Sequence, residues 1–213
     1  LTQVDYRTGR MHDMAELTAS AHKKGIVTVW DLAHSAGAIE VDLAGADADF
    51  AVGCTYKFLN GGPGAPAFIY VAPRHAERAT PALSGWLGHD APFAFEPDYR
   101  PGAGVARMRV GTPPVLGFAA LSTALDIWDD VDMSHLRARA VELSERFIAG
   151  VEATCPDLTL ASPRDPARRG SQVSFHFEHG YAAMQALIDQ GVIGDFRAPD
   201  IMRFGITPLY LDE

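Results

Sequence analysis

The stretch that most restricts how this chain can fold runs from residue 50 to residue 64, Phe-Ala-Val-Gly-Cys-Thr-Tyr-Lys-Phe-Leu-Asn-Gly-Gly-Pro-Gly. Phe50 to Cys54 is a short apolar run, too short for a helix and suited to a strand covered on both faces. The glycines and proline from Gly61 to Gly64 then break any regular element. Lys57 lies between the two, where the strand ends, and ligand sites in open α/β sheets gather at the carboxyl ends of strands. An amine partly desolvated there loses its proton readily and becomes a nucleophile able to form a Schiff base. The competing reading is a solvated lysine at a strand end, because lysines are mostly exposed.

The flanking sequence has α/β grammar. Residues 1–6 read as a strand, and 7–10 as a turn. Asp13 begins a helix whose apolar residues Met14, Leu17 and Ala21 recur at helical spacing, and Lys23-Lys24-Gly25 ends it. A β-branched run from Ile26 to Trp30 reads as a second strand with Asp31 at its carboxyl end. Residues 32–38 form a turn or short helix, 41–48 a loop, and 65–71 another strand. Strand, helix, strand, connection, strand predicts a three-layer α/β domain with a mostly parallel sheet. Residues 74–112 lose periodicity and hold Trp86, His89 and several glycines and prolines, a loop long enough to be functional. Helices are expected over 115–128 and 136–151, the second with Leu136, Ala140, Leu143 and Phe147 on one face. Strands over 158–161, 172–177 and 201–205, with a helix over 181–190, predict a small α+β domain. The boundary falls near Asp129, giving domains of residues 1–128 and 129–213, the second incomplete.

Composition narrows the function. With 47% hydrophobic and 21% charged residues the chain has the means to bury a core, so disorder is not expected. A net charge of −9 argues against a nucleic-acid partner. Cys54 and Cys155 are far apart with no CxxC spacing, which indicates neither a disulfide framework nor a metal site and fits a reducing cytoplasm. No apolar run approaches the about 18 residues of a membrane helix, and no signal peptide is visible. The chain opens inside a strand-like segment without Met and closes just after an apolar one, so it reads as part of a longer protein.

Asp31 and Lys57 stand at strand ends in neighbouring units and can face one crevice. An acid that keeps a pyridinium nitrogen protonated, together with a lysine amine, is what a pyridoxal phosphate (PLP) site needs. Asp31 by itself reads more readily as a solvated cap, and its pairing with Lys57 reverses that reading. Four segments taken together, Asp31-Leu32-Ala33-His34, 55–60 (Thr-Tyr-Lys-Phe-Leu-Asn), 85–89 (Gly-Trp-Leu-Gly-His) and 111–114 (Gly-Thr-Pro-Pro), resemble kynureninase, a fold-type I PLP enzyme of the aminotransferase class V type. The resemblance runs from Val4-Asp5-Tyr6-Arg7-Thr8-Gly9 to Arg203. The Tyr56-Lys57 pair followed by Asn-Gly-Gly, and the Gly-Trp-x-Gly-His segment, are its specific parts. The related cysteine desulfurases typically have histidine where this chain has Tyr56.

What the resemblance implies can be stated residue by residue. Lys57 is the Schiff-base lysine, holding PLP as a covalent aldimine, and Asp31 is the partner of the pyridinium nitrogen. His34 lies beside the cofactor; otherwise it is a satisfied histidine in a turn. Tyr56 donates to the cofactor phosphate and relays a proton; otherwise it is a core tyrosine. Trp86 and Thr112 complete the phosphate or substrate pocket from the second subunit of a homodimer. Read without the family, Trp86 is a buried anchor and Thr112 a helix N-cap. Thr2 aligns with a serine-like cofactor contact. Arg203 clamps the substrate α-carboxylate in a bidentate pair, with Arg197 a nearby competitor. His89 helps bind the aromatic end of the substrate.

The implied reaction is hydrolysis of the Cβ–Cγ bond of kynurenine or 3-hydroxykynurenine, releasing anthranilate or 3-hydroxyanthranilate and alanine. It belongs to tryptophan catabolism and NAD biosynthesis, takes a small amino-acid substrate and needs no metal. The family also uses an upstream phosphate-binding loop, a ring that stacks on the pyridine and a further acid, none of which lies in these residues. By themselves the residues are expected to bind the cofactor weakly or not at all and to lack activity. Two alternatives remain at this level: a cysteine desulfurase or selenocysteine lyase, and a non-catalytic truncated homologue.

Overall fold

The computed structural model of the protein describes residues 1–212. Asp13 caps helix α1 (Met14–His22), its carboxylate accepting the Glu16 N–H at 2.8 Å. Gly25 follows in the left-handed region at φ +70°, so the chain can turn directly into the sheet. Strands β1 (Val29–Asp31), β2 (Phe50–Cys54) and β3 (Ala67–Val71) form one sheet in that order. β1 and β2 run parallel, with Asp31 opposite Val52, whereas β2 and β3 run antiparallel, with Cys54 opposite Ala67. Residues 55–66 contain no helix to carry the chain back across the sheet, so the strand after them returns antiparallel.

Two expected strands are shorter than the β-prone residues suggest. Residues 1–6 contribute only isolated bridges, Thr2 to Asp31 and Val4 to Met11. The Asp5 carboxylate accepts from the Arg7 N–H and from the Thr8 N–H and hydroxyl, which curls the segment into a turn. Ile26 and Val27 precede β1 and are exposed.

Strand alternation sorts the first sheet into two different faces. Trp30 and Ala51 are buried against Met14, Leu32 and Ala48, and the Trp30 indole N–H donates to the Thr18 hydroxyl at 3.0 Å. On the other face Val29, Val52 and Ile69 are 48%, 41% and 48% exposed. β2 is therefore covered on one face, not on two. Below the sheet Asp49, 3% exposed, gathers the Thr28 N–H and hydroxyl, His22, His75 and Arg74 at 2.7–3.1 Å. Burial raises a carboxyl pKa, but these donors outweigh it and hold Asp49 far below the usual carboxylate range.

Helix α2 (Pro73–Ala76) opens the long irregular segment, which contains two 3₁₀ turns. Helix α3 (Val115–Asp126) follows, preceded by Pro114 with no side-chain cap, so Thr112 is not its N-cap. Helix α4 (Met133–Thr154) starts on Asp132, which accepts the Ser134 and His135 N–H groups. Its face of Leu136, Ala140, Leu143 and Ile148 is buried, and Phe147 packs beside it.

The second sheet comprises β4 (Thr159–Leu160), β5 (Gln172–His176), then after helix α5 (Gly180–Asp189) β6 (Asp195–Arg197) and β7 (Ile201–Gly205). Its order is β4-β5-β7-β6, antiparallel throughout. Val173 and Phe175 of β5 and Ile148 of α4, all fully buried, centre its core. The seam between the two sheets is polar. Gln172 Nε2 donates to the Tyr6 carbonyl at 3.0 Å, Gly170 N to Gly9 O at 2.8 Å, and Met11 N to Arg168 O at 2.8 Å. Among the described residues no helix is long and apolar enough to cross a membrane.

Candidate active site

A cavity of about 560 Å³ opens at the carboxyl end of β1 and just beyond β2, lined among others by Thr2, Asp31, His34, Tyr56, Lys57 and Arg203. A second, of about 410 Å³, shares His34, Tyr56, Lys57 and Arg203 and extends toward Gln172 and Gly194.

Lys57 sits on a turn that its neighbours fix. The Thr55 hydroxyl donates to Pro66 O at 2.5 Å, Gly61 N to Thr55 O at 2.8 Å, and Asn60 N to Lys57 O at 2.9 Å. Asn60 adopts φ +60°, a conformation asparagine tolerates better than most residues. Behind the turn Gly37, at φ +82°, lies so close that a Cβ there would stand 2.9 Å from the Phe58 carbonyl carbon.

The Lys57 Nζ lies 3.2 Å from His34 Nε2. Burial, then the positive charges of Lys57 and Arg203, lower the His34 pKa to about 4 against the weaker pull of Asp31 and Asp195. At neutral pH His34 is an uncharged imidazole, and the lysine amine is the donor of that pair. Asp31 ends β1, and its Oδ1 accepts the Ala33 N–H at 2.8 Å. Tyr56 is half-exposed, with Lys57 Nζ 5.5 Å from its ring centre. The Tyr56 hydroxyl is pushed up, first by the charge of Cys54 and then by burial, so it is a donor at neutral pH. Cys54 itself is held in β2, its Sγ 3.7 Å from the Ala33 carbonyl oxygen. The Thr2 hydroxyl donates to Val4 O at 2.8 Å.

Arg203 is buried and lies on β7 directly opposite Asp195 on β6. Its Nε and Nη2 donate to the two carboxylate oxygens of Asp195, and its Nη1 donates to the Tyr6 carbonyl. Arg197 lies 3.3 Å from Asp195 and donates to Phe196 O, with its side chain 44% exposed against 9% for Arg203. Sequence reasoning missed Asp195 and the Tyr6 carbonyl. A three-residue strand gives no periodicity to read, and a backbone oxygen has no side-chain signature.

Trp86, His89 and Thr112 are not brought to Lys57. Trp86 and His89 line a separate cavity of about 370 Å³ with Phe95 and Tyr99. Trp86 is 47% exposed, edge-on to Phe93 at 5.7 Å, and so is not a buried anchor. His89 stacks edge-on to Tyr99 at 5.7 Å, and its Nδ1 accepts the Ala91 N–H. Thr112 is exposed. No cluster suited to a metal ion occurs among the described residues.

An amine, a neutral imidazole, a strand-end carboxylate, a phenol and a guanidinium around one cavity fit an anionic, carbonyl-bearing ring cofactor. Lys57 would hold such a group through its carbonyl, and Asp31 would balance a protonated ring nitrogen.

Comparison with known proteins places this geometry. The profile of the Kynureninase C-terminal domain matches residues 136–213. Kynureninase of Deinococcus radiodurans is 57% identical over 215 aligned residues, covering 100% of this chain and 52% of the relative. Kynureninase of Pseudomonas fluorescens is 53% identical, covering 99% of this chain and 51% of the relative. The chain thus spans about half the length of the curated relatives it matches. Among solved structures, a cysteine desulfurase from Thermococcus onnurineus superposes with TM-score 0.80 at 20% identity, over 96% of this chain and 54% of that one. A C-DES mutant with glycine covalently linked to its PLP cofactor superposes with TM-score 0.84 at 20% identity, over 100% of this chain and 56% of that one. These distant structures share the α/β fold of the class V PLP enzymes. The two curated enzymes match this chain over 100% and 99% of its length at more than half identity, and the chain belongs to the kynureninase family.

Proposed function

We propose that this chain carries the lysine-bearing part of a PLP-dependent hydrolase that cleaves the Cβ–Cγ bond of kynurenine or 3-hydroxykynurenine, releasing alanine and anthranilate or 3-hydroxyanthranilate. The observation that carries the reading is Lys57 Nζ, 3.2 Å from a neutral His34, in a cavity shared with Asp31 and Arg203. PLP, when bound, supplies an electron sink for the pair freed as the substrate loses its α-proton.

The residues of the chain supply the rest. Lys57 attaches the cofactor through its amine and, once released, moves the α-proton. Asp31 keeps the ring nitrogen protonated. His34 accepts from the lysine amine and steers it without adding charge. Tyr56 donates its hydroxyl to the cofactor phosphate, and Thr2 offers a further polar contact. Arg203 takes the substrate α-carboxylate; it is the more buried and more firmly held of the two candidate arginines.

Trp86, Thr112 and His89 act in the site of a second copy in a homodimer, with His89 toward the aromatic end of the substrate. Their distance from Lys57 and the exposure of Trp86 support that assignment. The boundary between PLP-binding and small domains lies near residue 129, between the two sheets. Two free, half-buried cysteines are in keeping with a cytoplasmic protein.

The desulfurase reading requires a cysteine that reaches the substrate. Cys54 is fixed in β2, and Cys155 follows the last turn of α4, in the other part of the chain. The test is anthranilate fluorescence from the full-length gene product on addition of kynurenine, with a cofactor absorbance band that a Lys57→Ala variant lacks. A cofactor band without fluorescence rejects the hydrolase, and no band in the wild type rejects a PLP enzyme.

A further inference from the structure

Arg203 faces the Lys57 cavity with its guanidinium already partly committed. The commitment is by edge. Asp195 takes Nε and Nη2, one long side of the guanidinium fork, and the Tyr6 carbonyl takes one N–H of Nη1. An arginine has five N–H donors, so two remain, one on Nη1 and one on Nη2. The end of the fork, between Nη1 and Nη2, is the second edge able to hold a carboxylate in a bidentate pair.

We propose that Asp195 is a positioning residue for substrate binding: it clamps the side of the Arg203 fork so that the free end meets an incoming α-carboxylate. The proposal rests on the reading that Arg203 takes that carboxylate. Asp195 lies directly across the β6–β7 ladder from Arg203, so strand pairing keeps the two side chains neighbours. Its negative charge offsets the guanidinium inside the cavity, and Arg197, 3.3 Å from the same carboxylate, braces it from the solvent side. A guanidinium without this clamp keeps the Tyr6 contact but can rotate about its last side-chain torsions, and the pre-organised fork is lost.

The test uses the full-length holoenzyme and two ligands that differ by one group: L-kynurenine, and kynuramine, the same amine and aryl ketone without the carboxylate. Asp195→Asn is expected to weaken L-kynurenine by about tenfold or more, as a rise in KM with kcat little changed, while the inhibition constant of kynuramine stays within about twofold. Asp195→Glu, which restores the charge, should recover part of the loss. Equal weakening of both ligands, or a fall in kcat with a lowered Tm, identifies a merely structural ion pair and overturns the proposal. Tighter kynurenine binding in Asp195→Asn also overturns it, because Asp195 is then a competitor. Arg203→Lys is the control on the underlying reading. If it too weakens both ligands equally, Arg203 does not bind the carboxylate; if it discriminates while Asp195→Asn does not, only the positioning role fails.

Discussion

Replacing Lys57 with methionine should raise the pKa of His34 by about one unit and no further. The side chain keeps its length and loses its charge, so the Coulomb term at His34 disappears while the packing persists. With Nζ 3.2 Å from Nε2, two unit charges in a water-like dielectric interact by about 1.3 kcal/mol, or about one pKa unit. Both side chains are partly exposed, so a water-like dielectric is the appropriate one. Burial is the first cause of the low value and Arg203 a further one, and both remain, so the midpoint should move from about 4 to near 5 rather than return to 6.5. The assay is an NMR titration of the His34 ring in the cofactor-free protein, wild type against Lys57→Met. A midpoint that does not move, or that rises fully to 6.5, refutes the electrostatic account of the pair. Stability follows with a definite sign. His34 takes up its proton less readily folded than unfolded, so its contribution makes stability fall as pH drops from about 6.5 to about 4.

Three further outcomes are expected. Asp49→Ala strips the shared acceptor from Thr28, His22, His75 and Arg74 and should cost about 3–5 kcal/mol, lowering Tm in a thermal melt by roughly 10 °C. Because its pKa is depressed, the advantage of wild type over Asp49→Asn should be complete above the ordinary value of 3.8 and shrink as pH falls below it. Gly37→Ala adds a Cβ into the Phe58 backbone at a positive φ, and should lose about 1–3 kcal/mol by denaturant titration and displace the Lys57 turn, seen as weaker cofactor uptake. Phe175→Ala empties a fully buried position in the second sheet and should cost about 3–5 kcal/mol in the same titration.

Much of this architecture is legible in the residues, for reasons that can be named. The helix starts at Asp13 and Asp132 and the strands at 50–54 and 172–176 carry their signals locally, in caps and apolar runs. Lys57, Asp31 and His34 converge because strand ends in parallel units point the same way. What escaped is what depends on pairing across distance. β6 is three residues long and exists because β7 lies beside it, so Asp195 had no pattern to announce it. The strand expected over residues 1–6 yielded to side-chain acceptance by Asp5, a local competitor that propensity ignores. The exposure of Val52 reflects which layer covers the sheet, and strand composition alone does not encode that.

The polar seam between the sheets has a consequence for how ligand affinity responds to mutation. The Tyr6 carbonyl receives both Gln172 of the seam and Arg203 of the site, so one backbone oxygen belongs to the joint and to the binding pocket. Gln172 and Arg203 are both buried, so either bond, if broken, leaves a desolvated polar group behind. Arg203 is therefore one of the fasteners between the two sheets. On the proposal that Arg203 takes the substrate carboxylate, a loosened joint misaims it. Gln172→Ala, which opens the joint where it borders the second cavity, should accordingly raise the KM for kynurenine.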